Sequence, residues 1–167
     1  TQRAKTVLKD FLTDFSEEEL DYCVNGAYAA EKFSSSKIAP TVNVAGNKNI
    51  LELWHGPTCA FKDMALQLLP YLMTVSAKKT ADGKTIVILV ATSGDTGKAA
   101  LEGFKDVDHT RILVFYPVDG VSPMQKLQMT TQEGKNVSVC AINGNFDDAQ
   151  SAVKAIFTND DIKAQLA

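Results

Sequence analysis

A chain of 167 residues is long enough to bury one substantial core, and its 45% apolar and 22% charged residues are typical of a soluble globular protein. The formal net charge of −3 argues against nucleic-acid binding, because such proteins gain affinity from a basic face. No run in the sequence approaches the roughly 20 apolar residues that a membrane-spanning helix needs, so we expect no membrane partner.

The cysteines and histidines limit the kinds of site that the chain can carry. Cys23, Cys59 and Cys140 lie far apart and form no C-x-x-C pair, which favours reduced thiols in the cytoplasm over a disulfide framework. With only two histidines, His55 and His109, a metal site of histidine and cysteine ligands is not expected. The charged first residues, TQRAKTVLKDF, differ from the apolar segment of a secretory signal. We therefore expect a cytoplasmic protein without a bound metal.

The N-terminal part of the sequence predicts helices followed by a hairpin. Ser16, with Glu19 three residues later, forms a capping-box pattern ahead of an apolar helical repeat. The segment TVNVAGNKNILELW has two short alternating runs on either side of residues 46–49, and this pattern predicts a β-hairpin.

From residue 84 onward, three β-branched apolar runs alternate with helical patterns. The runs at residues 84–92, 111–117 and 136–142 predict strands, the first of them buried on both faces. Strands that alternate with helices imply right-handed crossovers and a parallel sheet. We predict an α/β fold with two regions. A helical and hairpin region over residues 1–83 precedes a three-layer parallel-sheet unit over residues 84–167.

The loop in ATSGDTGKAA joins the first predicted strand to a helix, at the end of the sheet where open α/β folds bind ligands. Gly94 and Gly97 permit a tight turn. Free N–H groups in the first turn of the helix favour an anion, and Ser93 and Thr96 supply hydroxyl donors. Asp95 would repel a phosphate dianion, and the spacing matches neither common phosphate-binding glycine pattern. The residues alone leave two interpretations open: an anion site, or a turn in which Asp95 or Thr96 caps the helix.

Lys62 lies in the segment HGPTCAFKDMA, at the predicted start of an apolar helix that Pro70 interrupts. A cation at the positive end of a helix is disfavoured by roughly 0.3–1 kcal/mol, and partial burial adds to this. Both effects favour the neutral amine, which is the form in which lysine acts as a nucleophile and forms Schiff bases. The alternative is a surface lysine paired with Asp63.

The neighbours of Lys62 have simpler interpretations. Phe61 is typical of a core aromatic residue. Cys59 is expected to be a packed thiol, because the sequence places no histidine partner beside it. His55 is expected to be a hydrogen-bonded loop histidine and not a catalytic base.

Taken together, LELWHGPTCAFKD and TIVILVATSGDTGKAALEGF resemble the threonine synthase family, and the segments VLKDFLTDFSEEEL and YPVDGVSPMQKLQMTTQEGKNVSVCAINGNFDDAQSAVK are similar to it in the same order. The resemblance covers essentially the whole chain. It implies an N-terminal fragment of a longer, two-domain lyase of fold type II, the tryptophan-synthase-β type, that depends on pyridoxal 5′-phosphate. The family converts O-phospho-L-homoserine and water to L-threonine and phosphate.

The resemblance also assigns residues to the site. It implies that Lys62 binds the cofactor covalently, beside Phe61. It assigns the substrate's α-carboxylate to four loop residues, Ser93, Gly94, Asp95 and Thr96. Three residues at the next predicted helix start are candidates for binding the substrate's phosphate: Ser122, Gln125 and Lys126.

The cofactor's phosphate is bound in the family by a second glycine-rich loop, G-N-F-G, that this sequence lacks. Residues 144–146 match it only in part, and we expect them to start a helix instead. The isolated chain is therefore expected to be folded but inactive. Two other functions stay open: a threonine-synthase-like phospho-lyase acting on other O-phosphohydroxy amino acids, and a non-enzymatic α/β module that binds anions.

Overall fold

The structure, a computed structural model, describes residues 1–80 and 83–166, with only the backbone of Leu166. The chain forms two compact units, Thr1–Lys84 and Thr85–Ala167. Among the described residues, no helix is long and apolar enough to cross a membrane.

In its described part, the first unit contains helices around one hairpin: α1 (Gln2–Lys9), α2 (Glu17–Ala27), β1 (Thr41–Ala45), β2 (Lys48–Leu51), α3 (Asp63–Leu66) and α4 (Leu69–Thr80). Helix α2 packs against α1 and α4 and buries Leu20, Cys23 and Val24. The predicted capping box is confirmed, because the Glu19 N–H donates to Ser16 Oγ and the Ser16 N–H donates to the Glu19 carboxylate. Each of these two hydrogen bonds satisfies an N–H group that has no partner within the helix.

The predicted hairpin is present, but its turn is shorter than residues 46–49. Strands β1 and β2 pair in antiparallel fashion up to Ala45 opposite Lys48, which leaves Gly46 and Asn47 as a two-residue connection. Gly46 has a φ of +54°, which is typical of such tight hairpin turns.

The predicted interruption of the helix after Lys62 is confirmed. Helix α3 ends at Leu66, and α4 begins at Leu69. Pro70 has no N–H to donate to the Leu66 carbonyl, so it fits only in the first turn of a new helix.

The second unit alternates strands and helices: β3 (Ile86–Ala91), α5 (Asp95–Phe104), β4 (Thr110–Pro117), α6 (Pro123–Thr130), β5 (Val137–Ile142), α7 (Phe146–Thr158) and α8 (Asp160–Leu166). The strands form a parallel sheet in the order β3-β4-β5. The prediction of a parallel α/β unit is therefore confirmed.

Helices cover both faces of this sheet. Helix α5 packs on the face that carries Val114, because a Cβ added to Gly97 of α5 would lie 2.9 Å from Val114 Cγ1. Helix α7 packs against β3 and β4. Since right-handed crossovers put α5 and α6 on one face, α7 covers the other. The result is the three-layer arrangement that the sequence predicts.

One prediction about the sheet is wrong. Strand β3 is not buried on both faces, because all six of its residues are only half-buried. The reason is its position at the edge of the sheet. The central strand β4 is the buried one, with Ile112 and Val114 at 1% and 0% exposure.

Candidate active site

The turn before α3 is held from within by a buried acid. Asp63 is 1% exposed and accepts hydrogen bonds from the Thr58 N–H at 2.8 Å and from the Thr58 hydroxyl at 2.7 Å. Gly56 lies against the same side chain, and a Cβ there would come within 2.5 Å of the Asp63 carboxylate. The turn can close only with glycine at this position.

Lys62 is the residue immediately before α3, and it is half-buried. Its Nζ lies 4.6 Å from the centroid of the Phe61 ring, a cation–π distance. Asp63 accepts hydrogen bonds from Thr58 through both of its carboxylate oxygens, and the alternative of a Lys62–Asp63 pair stays a prediction. Phe61 itself is 56% exposed, which corrects the prediction of a core aromatic residue: its ring covers the lysine and not the core.

The other two neighbours give one correction and one confirmation. Cys59 is exposed and not a packed thiol, and its φ of +58° lies in the left-handed region. His55 is hydrogen-bonded as predicted, with Nδ1 2.9 Å from Ser34 Oγ and Nε2 2.7 Å from Glu52 Oε2.

In the second unit, Thr92 organises the loop at the carboxyl end of β3. It is 2% exposed, and its hydroxyl oxygen accepts from the Gly94 N–H at 3.0 Å and the Gly97 N–H at 2.9 Å. Gly94 precedes α5, so neither Asp95 nor Thr96 caps this helix. The interpretation in which Asp95 or Thr96 caps the helix is therefore wrong. The N–H groups of Gly94 and Gly97 donate instead to Thr92, which precedes the loop. Sequence reasoning missed Thr92, whose only signal was a hydroxyl at the end of an apolar run.

The loop leaves backbone donors free. Among the described residues, the N–H groups of Ser93, Asp95 and Thr96 donate no hydrogen bond to the protein. These groups stand at the start of a ten-residue helix, where the macrodipole adds positive potential. The arrangement can bind a carboxylate or another small anion.

Gly94 and Gly97 are required by close contacts. Gly94 has a φ of +151°, and a Cβ there would lie 2.4 Å from Gln125 Nε2. At Gly97 a Cβ would lie 2.4 Å from Thr92 Cγ2, so the helix could not approach the sheet.

The three candidates for phosphate binding lie at the start of α6. Ser122 and Gln125 form a capping box, in which each backbone N–H donates to the other's side-chain oxygen at 3.2 Å. The Gln125 Nε2 group donates to Asp95 Oδ1 at 2.7 Å. Lys126 is half-buried. The structure thus brings Gln125 to the 93–96 loop, and the role of these residues toward phosphate stays a prediction.

Residues 144–146 start a helix, as expected. Asn145 caps α7, and its Oδ1 accepts from the N–H groups of Asp147 and Asp148. Both donors are thereby used, and two acidic side chains follow, which disfavours a phosphate here. Within the described residues, no group of three or more histidine, cysteine, aspartate or glutamate side chains could hold a metal ion.

Solved structures with this fold are enzymes of one class. A pyridoxal-phosphate-bound threonine synthase from Brucella melitensis superposes with a TM-score of 0.87 and 39% identity, over 98% of this chain and 34% of that one. The yeast threonine synthase superposes with a TM-score of 0.85 and 35% identity, over 96% of this chain and 34% of that one. An O-ureido-L-serine synthase, at 0.53 and 14% identity, shares the fold alone. The fold is therefore that of fold-type II enzymes.

Sequence comparison narrows the class to a family. Threonine synthase of Pseudomonas aeruginosa is 49% identical over 128 residues, which cover 76% of this chain and 27% of the relative. Human threonine synthase-like 1 is 38% identical over 167 residues, which cover 96% of this chain and 22% of the relative. No family model matches. The chain belongs to the threonine synthase family, and it spans about a quarter of the length of these curated relatives.

Proposed function

We propose that the chain is part of a pyridoxal-5′-phosphate-dependent lyase that converts O-phospho-L-homoserine and water to L-threonine and phosphate. The observation that carries the proposal is the Lys62 amine, which a rigid turn presents beside an exposed aromatic ring. Membership of the threonine synthase family supports it.

The residues present fit the cofactor. A primary amine beside an aromatic ring suits a planar pyridine aldehyde, because the amine can bond to the aldehyde carbon while the ring offers an apolar surface. Lys62 and Phe61 would hold the cofactor in this way. When bound, pyridoxal phosphate acts as an electron sink that stabilises negative charge at the substrate's Cα.

The 93–96 loop would bind the substrate's α-carboxylate. The free N–H groups of Ser93, Asp95 and Thr96 are charge-assisted donors for such a group, and the Thr96 hydroxyl can add another. Fixing the carboxylate orients the Cα–H bond before reaction, and ordering of this kind is worth up to about 7–11 kcal/mol in favourable cases.

Lys62 would move the protons of the reaction. Its amine is the basic group suited to removing the Cα proton and one Cβ proton, and it can later return protons to Cγ and Cα. Loss of the γ-phosphate and addition of water at Cβ then give threonine. Ser122, Gln125 and Lys126 remain our candidates for binding the leaving phosphate.

A second function within the same family is a phospho-lyase that acts on other O-phosphohydroxy amino acids without forming threonine. It stays open because the similar proteins include both threonine synthases and threonine synthase-like proteins.

Product analysis separates the two functions. The enzyme at the full length of its relatives is incubated with O-phospho-L-homoserine and pyridoxal phosphate, and phosphate and amino acids are quantified. Equimolar phosphate and L-threonine are expected. Phosphate release with a 2-oxo acid and no threonine would favour the phospho-lyase, and no phosphate release from O-phospho-L-homoserine would exclude the threonine synthase function. We further propose a cytoplasmic location, since all three cysteines are free thiols.

A further inference from the structure

The side chain of Gln125 bridges the starts of two helices and reaches Asp95, which lies 30 residues away in the sequence. Its Nε2 group donates to Asp95 Oδ1 at 2.7 Å, in the first turn of α5. Its Oε1 atom accepts from the Ser122 N–H at 3.2 Å, at the start of α6. Both ends of the amide are engaged, so its orientation is determined.

Gln125 also lies directly on the candidate anion loop. The position of a Cβ on Gly94 is taken by this side chain, with Nε2 2.4 Å and Cδ 2.5 Å away. The absence of a side chain at Gly94 is what allows the amide to reach Asp95. The contact is therefore built into the loop.

The Asp95 carboxylate could compete with an anion for the N–H groups of the loop, and its bond to Gln125 prevents this. Asp95 lies in sequence between Ser93 and Thr96, whose N–H groups are free, and an aspartate at a helix start readily accepts from nearby N–H groups. A carboxylate turned into the loop would occupy those donors and repel an incoming anion. In the described part of the chain, the hydrogen bond of the Asp95 carboxylate goes to Gln125 alone.

We propose that Gln125 is a positioning residue that turns the Asp95 carboxylate away from the 93–96 loop and so keeps its N–H groups free for the substrate's α-carboxylate. The proposal rests on the proposed function, in which this loop binds that group. Gln125 acts through Asp95 and need not touch the substrate.

The test is a double-mutant cycle in the full-length enzyme loaded with pyridoxal phosphate. The probe is L-2-aminobutyrate, which carries the α-carboxylate but no phosphate, and its Kd is measured from the absorbance change of the cofactor. Gln125→Leu frees Asp95, and we expect Kd to rise about tenfold, the effect of one charge-assisted hydrogen bond. In an Asp95→Ala background the same change should alter Kd less than about twofold, because no carboxylate competes.

Two further variants separate positioning from folding. Gln125→Glu keeps the capping acceptor but cannot donate from an ionised carboxylate, so Kd should rise with α6 intact. When Asp95→Asn is added to Gln125→Glu, an amide–carboxylate hydrogen bond between the two positions is restored, and Kd should return toward the wild-type value. Gln128→Leu, the same change elsewhere on α6, is the matched control and should leave Kd, KM and kcat within twofold. With O-phospho-L-homoserine, Gln125→Leu should raise KM.

Each result has one meaning. An unchanged Kd in Gln125→Leu, or an equal rise with and without Asp95, overturns the positioning role while leaving the proposed function intact. If the wild-type enzyme itself shows no response to L-2-aminobutyrate and releases no phosphate, the proposed function fails and this proposal fails with it.

Discussion

Thr58 and Asp63 bind each other twice across the turn that leads to Lys62, through the N–H and the hydroxyl of the threonine. The carboxylate is buried, so each of these bonds replaces water that the acid lost on folding. The pair therefore stabilises the turn and fixes where the lysine leaves the backbone.

Thr58→Val should destabilise the first unit. The change removes the hydrogen bond that the Thr58 hydroxyl donates to one oxygen of the buried Asp63 carboxylate. Loss of a hydrogen bond to a charged group lowers the free energy of unfolding by roughly 1.5–3 kcal/mol. Urea unfolding measures the loss. Thr41→Val, the same change at an exposed position of β1, serves as control and should stay within about 0.5 kcal/mol. Equal effects at both positions would show that the Thr58–Asp63 pair contributes no specific stability.

Lys62 should be the residue that borohydride reduction links to pyridoxal phosphate. Its half-buried amine lies beside an aromatic ring, whereas Lys78 is exposed. Reduction of the full-length enzyme in the presence of the cofactor, followed by peptide mapping, should place the label on Lys62, and Lys62→Ala should abolish it. Labelling of Lys78 or Lys98 with Lys62 unmodified would contradict the assignment.

Thr96→Val should weaken substrate binding and leave the cofactor's spectrum unchanged. The variant keeps the size of the side chain but removes a hydroxyl donor from the loop, and a hydrogen bond to a charged group is worth roughly 1.5–3 kcal/mol. Steady-state kinetics with O-phospho-L-homoserine should show a raised KM. Weaker cofactor binding with an unchanged KM would instead assign the loop to the cofactor's phosphate.

The stability of the chain should fall between pH 8 and pH 10 because of Cys23. Burial, with a smaller contribution from Glu19, raises the pKa of this thiol to about 11. The unfolded thiol ionises near its ordinary value of 9.0, so rising pH favours the unfolded state, and the loss of stability over this interval is about 1 kcal/mol. Denaturant unfolding at the two pH values measures it. Cys23→Ala should remove this part of the pH dependence, and an unchanged slope in that variant would exclude Cys23 as its source.

The 167-residue chain by itself should be folded but inactive. Each compact unit buries a core of its own, which supports a mixed α/β circular dichroism spectrum and cooperative melting. The sequence carries no G-N-F-G loop to anchor the cofactor's phosphate. Phosphate release from O-phospho-L-homoserine should therefore stay at background. Turnover by the purified chain that Lys62→Ala abolishes would show that the chain needs no further residues.

The sequence by itself determined the features that depend on neighbours along the chain. The capping box of Ser16 and Glu19, the break at Pro70 and the three parallel strands follow from local patterns, because caps, ring constraints and β-branched runs act over a few residues. The HGPT-x-AFKD segment, with Lys62, and the ATSGDTG segment were likewise recognisable from their order of residues alone.

Only the tertiary structure decided which side chains meet and which face water. The edge position of β3 left it half-buried although its residues form an apolar run, and Cys59, predicted to be a packed thiol, is exposed. The bond between Gln125 and Asp95 joins residues 30 positions apart, and it exists because the packing of α5 and α6 brings their first turns together. Periodicity records burial along one element, whereas a contact of this kind depends on the packing of two elements, which no local pattern specifies.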